Sequence, residues 1–287
     1  MKILITGGSG FVAKYLAQEL KGADVLLADI REDTKKKVIG LDITKLSAVE
    51  SLLKKFKPDQ IYHLAAISSP RIAGEAKIRE VNIGGTENLL KAARKYAPGV
   101  RILLVSTGYV YGECLKPASE GQKLNPIGPY AKSKAEMEKL ALKNYKDLDI
   151  VVVRPFNHSG QGQQLGFVLP DLAKQIKLFK QKRISKIHSL NLDNARDLLH
   201  VKDVVRGYKL LMQKGKKHEI YNISSGKAVE IRKVLQALIQ KSSLKNVKIF
   251  EQKQAGGLAK SVGSNAKIKR LGWKPKHSLD DVISEFV

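Results

Sequence analysis

The sequence has little of what secreted, membrane or metal-binding proteins need. It contains one cysteine, Cys114, in 287 residues, which excludes an intrachain disulfide framework and a cysteine zinc cluster. No run approaches the ~18 consecutive apolar residues of a transmembrane helix, and the start MKILITGGSG does not resemble a signal peptide. The six histidines show no metal-ligand spacing. These absences predict a cytoplasmic protein with no metal site and no membrane contact.

Acidic residues are also scarce. The sequence has 52 Lys+Arg and 27 Asp+Glu, which gives a formal net charge of +25. Residues 1–150 carry +8 of this charge and residues 151–287 carry +17. Such an excess suits an anionic partner, either nucleic acid, acidic lipid or a phosphorylated small molecule, or it is a solvated lysine surface. Aromatic residues make up only 6%, and no RNA-binding module is recognisable. An RNA-binding protein is therefore a minor alternative, and we predict no nucleic-acid partner.

Apolar segments of strand length alternate with helical patterns through the first half of the chain. This alternation predicts an α/β fold with a parallel sheet that is covered on both faces. The pattern loosens after Pro155, although three further helices and one further strand are still predicted. Strands are predicted over residues 2–6, 24–29, 38–41, 60–64, 101–105, 150–153 and 219–223. Helices are predicted over residues 11–20, 46–56, a long region that ends near 96, 130–145, 169–179, 201–212 and 231–239.

A glycine-rich turn joins the first predicted strand to the first predicted helix. Gly7, Gly10 and Ala13 have the spacing G-x-x-G-x-x-A, which lets the backbone approach a pyrophosphate and keeps the helix close to the sheet. The N–H groups at the start of the helix, including those of Phe11 and Val12, then face the phosphates. The second strand ends in Asp29, 22 residues after Gly7, where a carboxylate binds the ribose hydroxyls of NAD. The turn therefore predicts a dinucleotide site.

The choice between the two nicotinamide dinucleotides depends on the residues after the second strand. Asp29 would repel a 2′-phosphate, whereas Arg31 is close enough in sequence to bind one. NAD(H) is favoured, with NADP(H) as the alternative. Asp42 and Ile43 follow the third strand, where the Asp42 carboxylate either holds the adenine amino group or serves as an acid at a helix N-terminus.

A second group of residues suits proton transfer. Tyr130 and Lys134 are four apart on a predicted helix and therefore lie on one face. An ammonium near a phenol favours phenolate, so Lys134 is expected to lower the pKa of Tyr130 from about 10 toward neutrality. Ser106 and Thr107 end the strand 101–105, at the sheet edge where such folds bind ligands. We predict Thr107, Tyr130 and Lys134 as catalytic residues that act on a hydroxyl or a ketone.

These motifs and several others resemble the extended short-chain dehydrogenases/reductases of the nucleotide-sugar epimerase/dehydratase family. The resemblance covers nearly the whole chain. It implies a Rossmann-type doubly wound sheet from residues 1–157 and 197–224, a smaller discontinuous substrate domain from residues 158–196 and 225–287, and a homodimer. The further segments that carry it are residues 63–66, Asn82 with 85–86, 106–112, 129–134, 154–157, 221–223 and 271–275. The further cofactor contacts it implies are Leu64, Ala65, Ala66, Ser106 and Pro155, together with Tyr130 and Lys134, of which Lys134 would hold the nicotinamide ribose.

Within this family, the residues after Thr107 distinguish between the types of reaction that the members catalyse. The 4,6-dehydratases of the family carry acidic residues there, whereas this chain has Gly108 and Tyr109. The resemblance thus implies a reductase or a 4-epimerase rather than a dehydratase. Residues 154–163, 166–168, 191–197 and 203–206 most resemble GDP-4-keto-6-deoxy-D-mannose reductases, which form GDP-D-rhamnose or GDP-6-deoxy-D-talose.

The resemblance also implies a set of contacts with a GDP-linked sugar. Lys253 stands where these reductases have an arginine. Arg196, and more weakly Lys253, would neutralise the diphosphate, unless Arg196 is a structural ion-pair partner of Asp197 or a neighbour. A nucleotide-sugar 4-epimerase that retains NAD, with a UDP- or GDP-hexose as substrate, is the main alternative. The implied substrate-binding residues are Ser68, Thr107, Asn157, His158, Val168, Arg196 and Lys253.

Overall fold

A seven-stranded parallel sheet organises the protein in the computed structural model, which describes residues 1–68, 73–254 and 257–287. The strand order is β3-β2-β1-β4-β5-β6-β10, and all neighbours are parallel. The chain therefore crosses over between strands by way of helices, as a doubly wound sheet requires. The strands are β1 (Lys2–Thr6), β2 (Asp24–Asp29), β3 (Val38–Gly40), β4 (Gln60–His63), β5 (Arg101–Val105), β6 (Asp149–Pro155) and β10 (Ile220–Ile223).

Helices cover both faces of this sheet, because the strand side chains are apolar on both sides. One apolar cluster packs α2, α4 and α5 on one face, and a second packs α1 and α7 on the other. The helices are α1 (Phe11–Glu19), α2 (Leu46–Phe56), α3 (Glu75–Arg79), α4 (Thr86–Tyr96), α5 (Gly128–Asn144) and α7 (Val201–Lys214). No helix in the described ranges is both long and apolar enough to cross a membrane.

The remaining elements lie beside the main sheet and form smaller sheets. Strand β9 pairs with β7, β11 and β13, and β8 pairs with β12. A third apolar cluster joins α6, α8 and α10. These elements are β7 (Asn157–Ser159), β8 (Ile187–Leu190), β9 (Ala195–His200), β11 (Ala228–Glu230), β12 (Ile249–Gln252), β13 (Lys260–Ser261), α6 (Val168–Lys180), α8 (Ile231–Lys241), α9 (Ala266–Lys269) and α10 (Leu279–Ser284).

The structure corrects two parts of the sequence interpretation. The long helical region that was predicted to end near residue 96 consists of α3, a π-helical turn over Glu80–Gly85, and α4. The segments around the predicted helices 169–179 and 231–239 contain strands that the sequence did not predict. Several are only two or three residues long, which is too short to show an alternating pattern.

Candidate active site

The carboxyl ends of β1, β4, β5 and β6 surround a cavity of about 410 Å³. This is the edge where open α/β sheets bind ligands. Most of the residues that the sequence predicts for the site line this one cavity. They are Gly7, Gly10, Phe11, Val12, Leu64, Ala66, Ser68, Ser106, Thr107, Tyr130, Lys134, Pro155, Asn157 and His158.

The glycine-rich turn forms one wall of the cavity. Gly7 has φ +71°, and a Cβ there would lie 2.8 Å from the Ala65 backbone nitrogen, so both the conformation and the close approach require glycine. Predicted residue Ala65 thus supports the turn. Gly10 is the N-cap residue of α1; its backbone is extended, and it makes no side-chain capping hydrogen bond. The first N–H groups of α1 therefore remain free to meet an anion, which fits the phosphates of a dinucleotide.

Asp29, at the end of β2, and Asp42, after β3, do not line this cavity. Asp29 accepts a hydrogen bond from the Ser9 backbone N–H at 3.0 Å through one carboxylate oxygen, which leaves the other oxygen for a ribose hydroxyl. Arg31 is exposed. Asp42 accepts hydrogen bonds from the Thr44 N–H and hydroxyl at 2.9 and 2.7 Å.

Asp42 does not cap a helix, in contrast to one of its two predicted roles. Helix α2 begins at Leu46 with Lys45 as its N-cap, so the Asp42 carboxylate closes the preceding turn. Ile43 is buried and contacts Gly85 closely, since a Cβ on Gly85 would lie 2.6 Å from the Ile43 side chain. Of the two predicted roles of Asp42, the adenine contact stays a prediction.

Thr107, Tyr130 and Lys134 meet at the opposite wall. Thr107 caps a single 3₁₀ turn over Gly108–Tyr111, where its hydroxyl accepts from the Tyr109 N–H at 3.2 Å. The Thr107 hydroxyl is near enough to Tyr130 to lower the pKa of the phenol. Lys134 is buried and donates from Nζ to the Val105 carbonyl at 2.6 Å. The carboxyl end of β5 thus places Thr107 and Lys134 at the same cavity as Tyr130.

The charge states differ from the sequence expectation. Burial raises the pKa of Tyr130 to about 12, although the Thr107 hydroxyl acts in the opposite direction. Burial also lowers the pKa of Lys134 to about 8, against the effect of Glu138. The expectation that Lys134 brings the Tyr130 pKa toward neutrality is therefore wrong for this structure, because burial of the phenol outweighs the influence that lowers its pKa. At neutral pH the Tyr130 phenol keeps its proton and can act as an acid.

A buried ion pair fixes the helix that carries these groups. Glu138 lies four residues after Lys134 on α5, and its carboxylate accepts from Arg154 Nη2 at 2.6 Å and Nε at 3.0 Å. Arg154 on β6 also donates to the Tyr111 hydroxyl at 2.8 Å. Both charged side chains are almost fully buried. The part of α5 that carries Tyr130 and Lys134 is thereby held against the sheet.

A second buried network lies behind the glycine-rich turn. The His63 ring is within hydrogen-bond distance of the Thr6 hydroxyl at 2.7 Å and the Thr86 hydroxyl at 2.9 Å. Burial lowers the pKa of His63 to about 3, and the charge of Lys134 acts in the same direction. His63 is thus a neutral structural residue that joins β1, β4 and α4.

Asn157 and His158 follow β6 and face the cavity. Asn157 donates to the Tyr109 hydroxyl at 2.8 Å. His158 Nδ1 lies 2.9 Å from the Phe156 carbonyl, and burial lowers the pKa of His158. A neutral ring that donates from Nδ1 has Nε2 as an acceptor, so His158 suits a sugar hydroxyl better than a phosphate.

Three predicted substrate contacts do not line the cavity. Val168 is exposed at the start of α6. Arg196 on β9 is half-buried and donates to the Ala195 carbonyl at 2.9 Å. Lys253 is exposed and lies 3.3 Å from an Asp193 carboxylate oxygen. Their binding roles stay predictions.

The proposed structural pairing of Arg196 is wrong. The Asp197 carboxylate accepts from the backbone N–H groups of Ser225, Gly226 and Gly263 instead. In the described ranges Arg196 is in no ion pair with a carboxylate. Arg196 pairs across the ladder with Ser261, which does line the cavity.

The sequence did not predict several residues that line the cavity, namely Tyr109, Gln163, Gln164, Phe167, Tyr208 and Ser261. Ser261 lies on the two-residue strand β13, which has no recognisable pattern. The hydroxyls of Ser106 and Ser261 are buried and have no hydrogen-bond partner in the described parts of the chain. Buried hydroxyls are normally paired, so both are suited to contact a bound polar molecule.

Comparisons with known proteins agree with this geometry. Residues 3–224 match the NAD dependent epimerase/dehydratase family. The chain belongs to this family. Membership confirms the family resemblance, the Rossmann-type fold and the dinucleotide-dependent enzyme of the extended short-chain type that the sequence predicted.

The names of family members with similar sequences refer to nucleotide sugars. The chain is 30% identical to "GDP-6-deoxy-D-mannose reductase" from Pseudomonas aeruginosa, over 99% of this chain and 97% of that protein. It is 35% identical to "GDP-6-deoxy-D-talose 4-dehydrogenase" from Aggregatibacter actinomycetemcomitans, over 84% and 80%. A UDP-glucose 4-epimerase from Lactobacillus helveticus is 27% identical, over 99% and 95%.

Solved structures of the family have the same fold. The structure of RMD from Pseudomonas aeruginosa complexed with NADPH superposes with a TM-score of 0.88 at 29% identity, over 99% of this chain and 97% of that one. The UDP-glucose 4-epimerase of Thermus thermophilus in complex with NAD has a TM-score of 0.87 at 27% identity, over 100% and 99%.

Proposed function

We propose that this protein reduces the C4 ketone of a nucleotide-linked 4-keto-6-deoxy sugar with NAD(P)H. The substrate of the proposal is GDP-4-keto-6-deoxy-D-mannose, and the product is GDP-D-rhamnose or GDP-6-deoxy-D-talose. The main support is the composition of the cavity, in which Thr107, Tyr130 and Lys134 face the glycine-rich turn while Gly108 and Tyr109 replace the acidic pair of dehydratases. The names of the relatives from Pseudomonas and Aggregatibacter support the GDP-linked sugar.

The protein's own residues supply the binding and the proton. The Thr107 and Tyr130 hydroxyls hydrogen-bond the C4 carbonyl oxygen, and the phenol gives it a proton. Because burial raises the pKa of Tyr130 to about 12, the acid form is fully populated at neutral pH. The nicotinamide, when bound, supplies the hydride to C4. Lys134 holds a positive charge beside the developing alkoxide, which favours reduction.

The cofactor preference in this proposal depends on Asp29 and Arg31. Asp29 has one carboxylate oxygen engaged by Ser9 and one that can bind a ribose hydroxyl, which favours NADH. Arg31 is exposed on the segment after β2, where its guanidinium would bind the 2′-phosphate of NADPH. The relative RMD was solved with NADPH, so both cofactors belong in the assay.

The proposed sugar nucleotide lies between the main sheet and the smaller sheets. Asn157, His158 and Ser68 would contact the sugar, and Arg196 would contact the diphosphate. In this proposal, residues 158–196 and 225–287 act as the substrate domain beside the dinucleotide domain of residues 1–157 and 197–224. The proposed assembly is a homodimer.

The test is to incubate the protein with GDP-4-keto-6-deoxy-D-mannose and either NADH or NADPH. We expect cofactor oxidation, and the C4 configuration of the product identifies the stereochemistry. Tyr130→Phe should lower turnover by about 10²–10⁴-fold, which is the usual worth of a general acid, while the dissociation constant for the cofactor stays nearly unchanged. Tyr96→Phe is the matched control, because Tyr96 ends α4 and lies away from the cavity. No oxidation with either cofactor refutes the reductase.

A 4-epimerase is the second proposal, supported by the UDP-glucose 4-epimerases among the relatives, such as those from Lactobacillus helveticus and Thermus thermophilus. The same Thr107, Tyr130 and Lys134 would act, but the hydride would return to the same carbon. The purified protein would then carry tightly bound NAD and would interconvert C4 epimers of a UDP- or GDP-hexose without added cofactor. The first proton transfer of an epimerase removes a proton from a hydroxyl, which the raised pKa of Tyr130 disfavours.

A further inference from the structure

Tyr109 is held in the cavity by contacts on both sides of its short turn. Its backbone N–H donates to the Thr107 hydroxyl at 3.2 Å. Gly108 lies so close to the Phe156 ring that a Cβ there would meet it at 2.9 Å, and the Tyr111 hydroxyl donates to Asn222 at 2.8 Å. The turn that carries Tyr109 is therefore fixed by packing and hydrogen bonds rather than free to adapt.

The hydrogen-bonding role of the Tyr109 hydroxyl is set by Asn157. The Asn157 amide donates to the phenol oxygen at 2.8 Å, so the oxygen acts as an acceptor in that bond. A phenol has one proton of its own, and no described protein group accepts it. The half-buried side chain lines the cavity, which leaves the proton directed to whatever binds there.

Tyr109 lies close to the reacting groups. It is two residues from Thr107, and it lines the same cavity as Thr107 and Tyr130. Two phenols thus face one cavity. Since Thr107 and Tyr130 bind the carbonyl oxygen in the proposed reaction, a different oxygen of the substrate must accept from Tyr109.

We infer that Tyr109, oriented by Asn157, is a substrate-binding residue that donates a hydrogen bond to a sugar oxygen next to the reacting carbonyl. This inference rests on the proposed reductase function and adds a determinant of sugar specificity to it. One buried hydrogen bond between neutral groups contributes modestly to binding. The effect should therefore appear in the affinity for the sugar nucleotide and not in the proton transfer, which Tyr130 performs.

Tyr109→Phe tests this inference, with Tyr96→Phe as the control for loss of a tyrosine hydroxyl elsewhere. We expect Tyr109→Phe to raise KM for GDP-4-keto-6-deoxy-D-mannose by about five- to tenfold and to change kcat by less than about twofold. The affinity for NADH or NADPH, whichever supports turnover, and the thermal midpoint should match the control. A loss of kcat with unchanged KM, or no change in either constant, overturns the inference.

A double variant tests the role assigned to Asn157. If Asn157 acts partly by orienting Tyr109, Tyr109→Phe should raise KM less in an Asn157→Leu background than in the wild type. If the two changes raise KM by independent factors that multiply, the orienting role is refuted.

Calorimetric binding of GDP-D-rhamnose distinguishes failure of this inference from failure of the proposed function. Wild-type turnover without a Tyr109 effect rejects only this inference, whereas a wild type that neither turns over nor binds rejects the proposed function and the inference with it.

Discussion

Breaking the buried pair between Glu138 and Arg154 should destabilise the protein more than any exposed pair does. Arg154 uses Nε and Nη2 for Glu138 and Nη1 for the Tyr111 hydroxyl and the Glu120 carbonyl. Burial alone would lower the pKa of Arg154, but hydrogen bonds and charge from Glu138 outweigh it and raise the pKa. Removing one partner leaves an unpaired buried charge, which costs about 3–5 kcal/mol of unfolding free energy.

A double-variant cycle measures this cost. Glu138→Leu and Arg154→Met should each lower stability by about 3–5 kcal/mol, and the double variant should lose clearly less than their sum because no unpaired charge remains. The exposed pair between Arg79 and Glu136 is the control, since it has the same 2.6 Å separation and also involves α5. Arg79→Met should cost at most about 1 kcal/mol.

Urea titration followed by circular dichroism provides the free energies from the transition midpoints and slopes. The reasoning is refuted if Glu138→Leu costs no more than Arg79→Met. It is also refuted if the costs of the two buried changes simply add in the double variant, because then the two side chains act independently.

Two further changes test other parts of the site. Gly7→Ala should weaken binding of NADH at least about tenfold and lower stability by about 1–3 kcal/mol, because it forces φ +71° on alanine and places a Cβ 2.8 Å from the Ala65 nitrogen. Fluorescence titration with NADH, and with NADPH if that is the cofactor bound, checks this, and unchanged binding contradicts it. The pKa of His63 is about 3 in the folded protein and about 6.5 in the unfolded chain. His63 therefore contributes to the free energy of unfolding above pH 6.5. This contribution is lost as the pH falls, and the loss reaches about 2 kcal/mol at pH 5. Urea midpoints at pH 8 and pH 5 should therefore differ less in His63→Gln than in the wild type, and equal differences in both proteins would contradict the assignment.

The first half of the fold could be predicted because its signals are local. Strands such as Lys2–Thr6 and Arg101–Val105 have the bounds predicted from apolar runs, and α2 begins and ends as predicted. The glycine spacing and the Tyr130–Lys134 pair likewise depend only on short separations along the chain. These residues line one cavity because parallel strands bring their carboxyl ends to the same edge.

The smaller sheets could not be predicted because their pairing is not local. Strand β9 pairs with β7, whose residues lie about forty positions earlier, and with β13, whose residues lie more than sixty positions later. Ser261 reaches the cavity only through that long-range pairing. Hydrophobic periodicity reports on one segment at a time and therefore carries no information about such contacts.

The predicted direction of the Tyr130 pKa shift was also wrong because it depends on contacts that are not local in the sequence. The spacing of Tyr130 and Lys134 places both on one face of α5, but it does not show which acceptor takes the ammonium. The Val105 carbonyl takes it, and burial then dominates the phenol. A motif therefore identifies which groups meet, whereas their protonation depends on neighbours from other strands.

The segment Arg154 to Asn157 shows how one short stretch joins these parts. Arg154 turns toward α5 and pairs with Glu138, whereas Asn157 turns toward the cavity and binds Tyr109. Between them the Phe156 ring fills the space beside Gly108 and stacks on Tyr111 at 6.1 Å between centroids. The same stretch thus contacts both the helix that carries Tyr130 and the turn that carries Thr107 and Tyr109. A shift in this stretch would disturb two walls of the cavity at once, because its side chains pack on both elements.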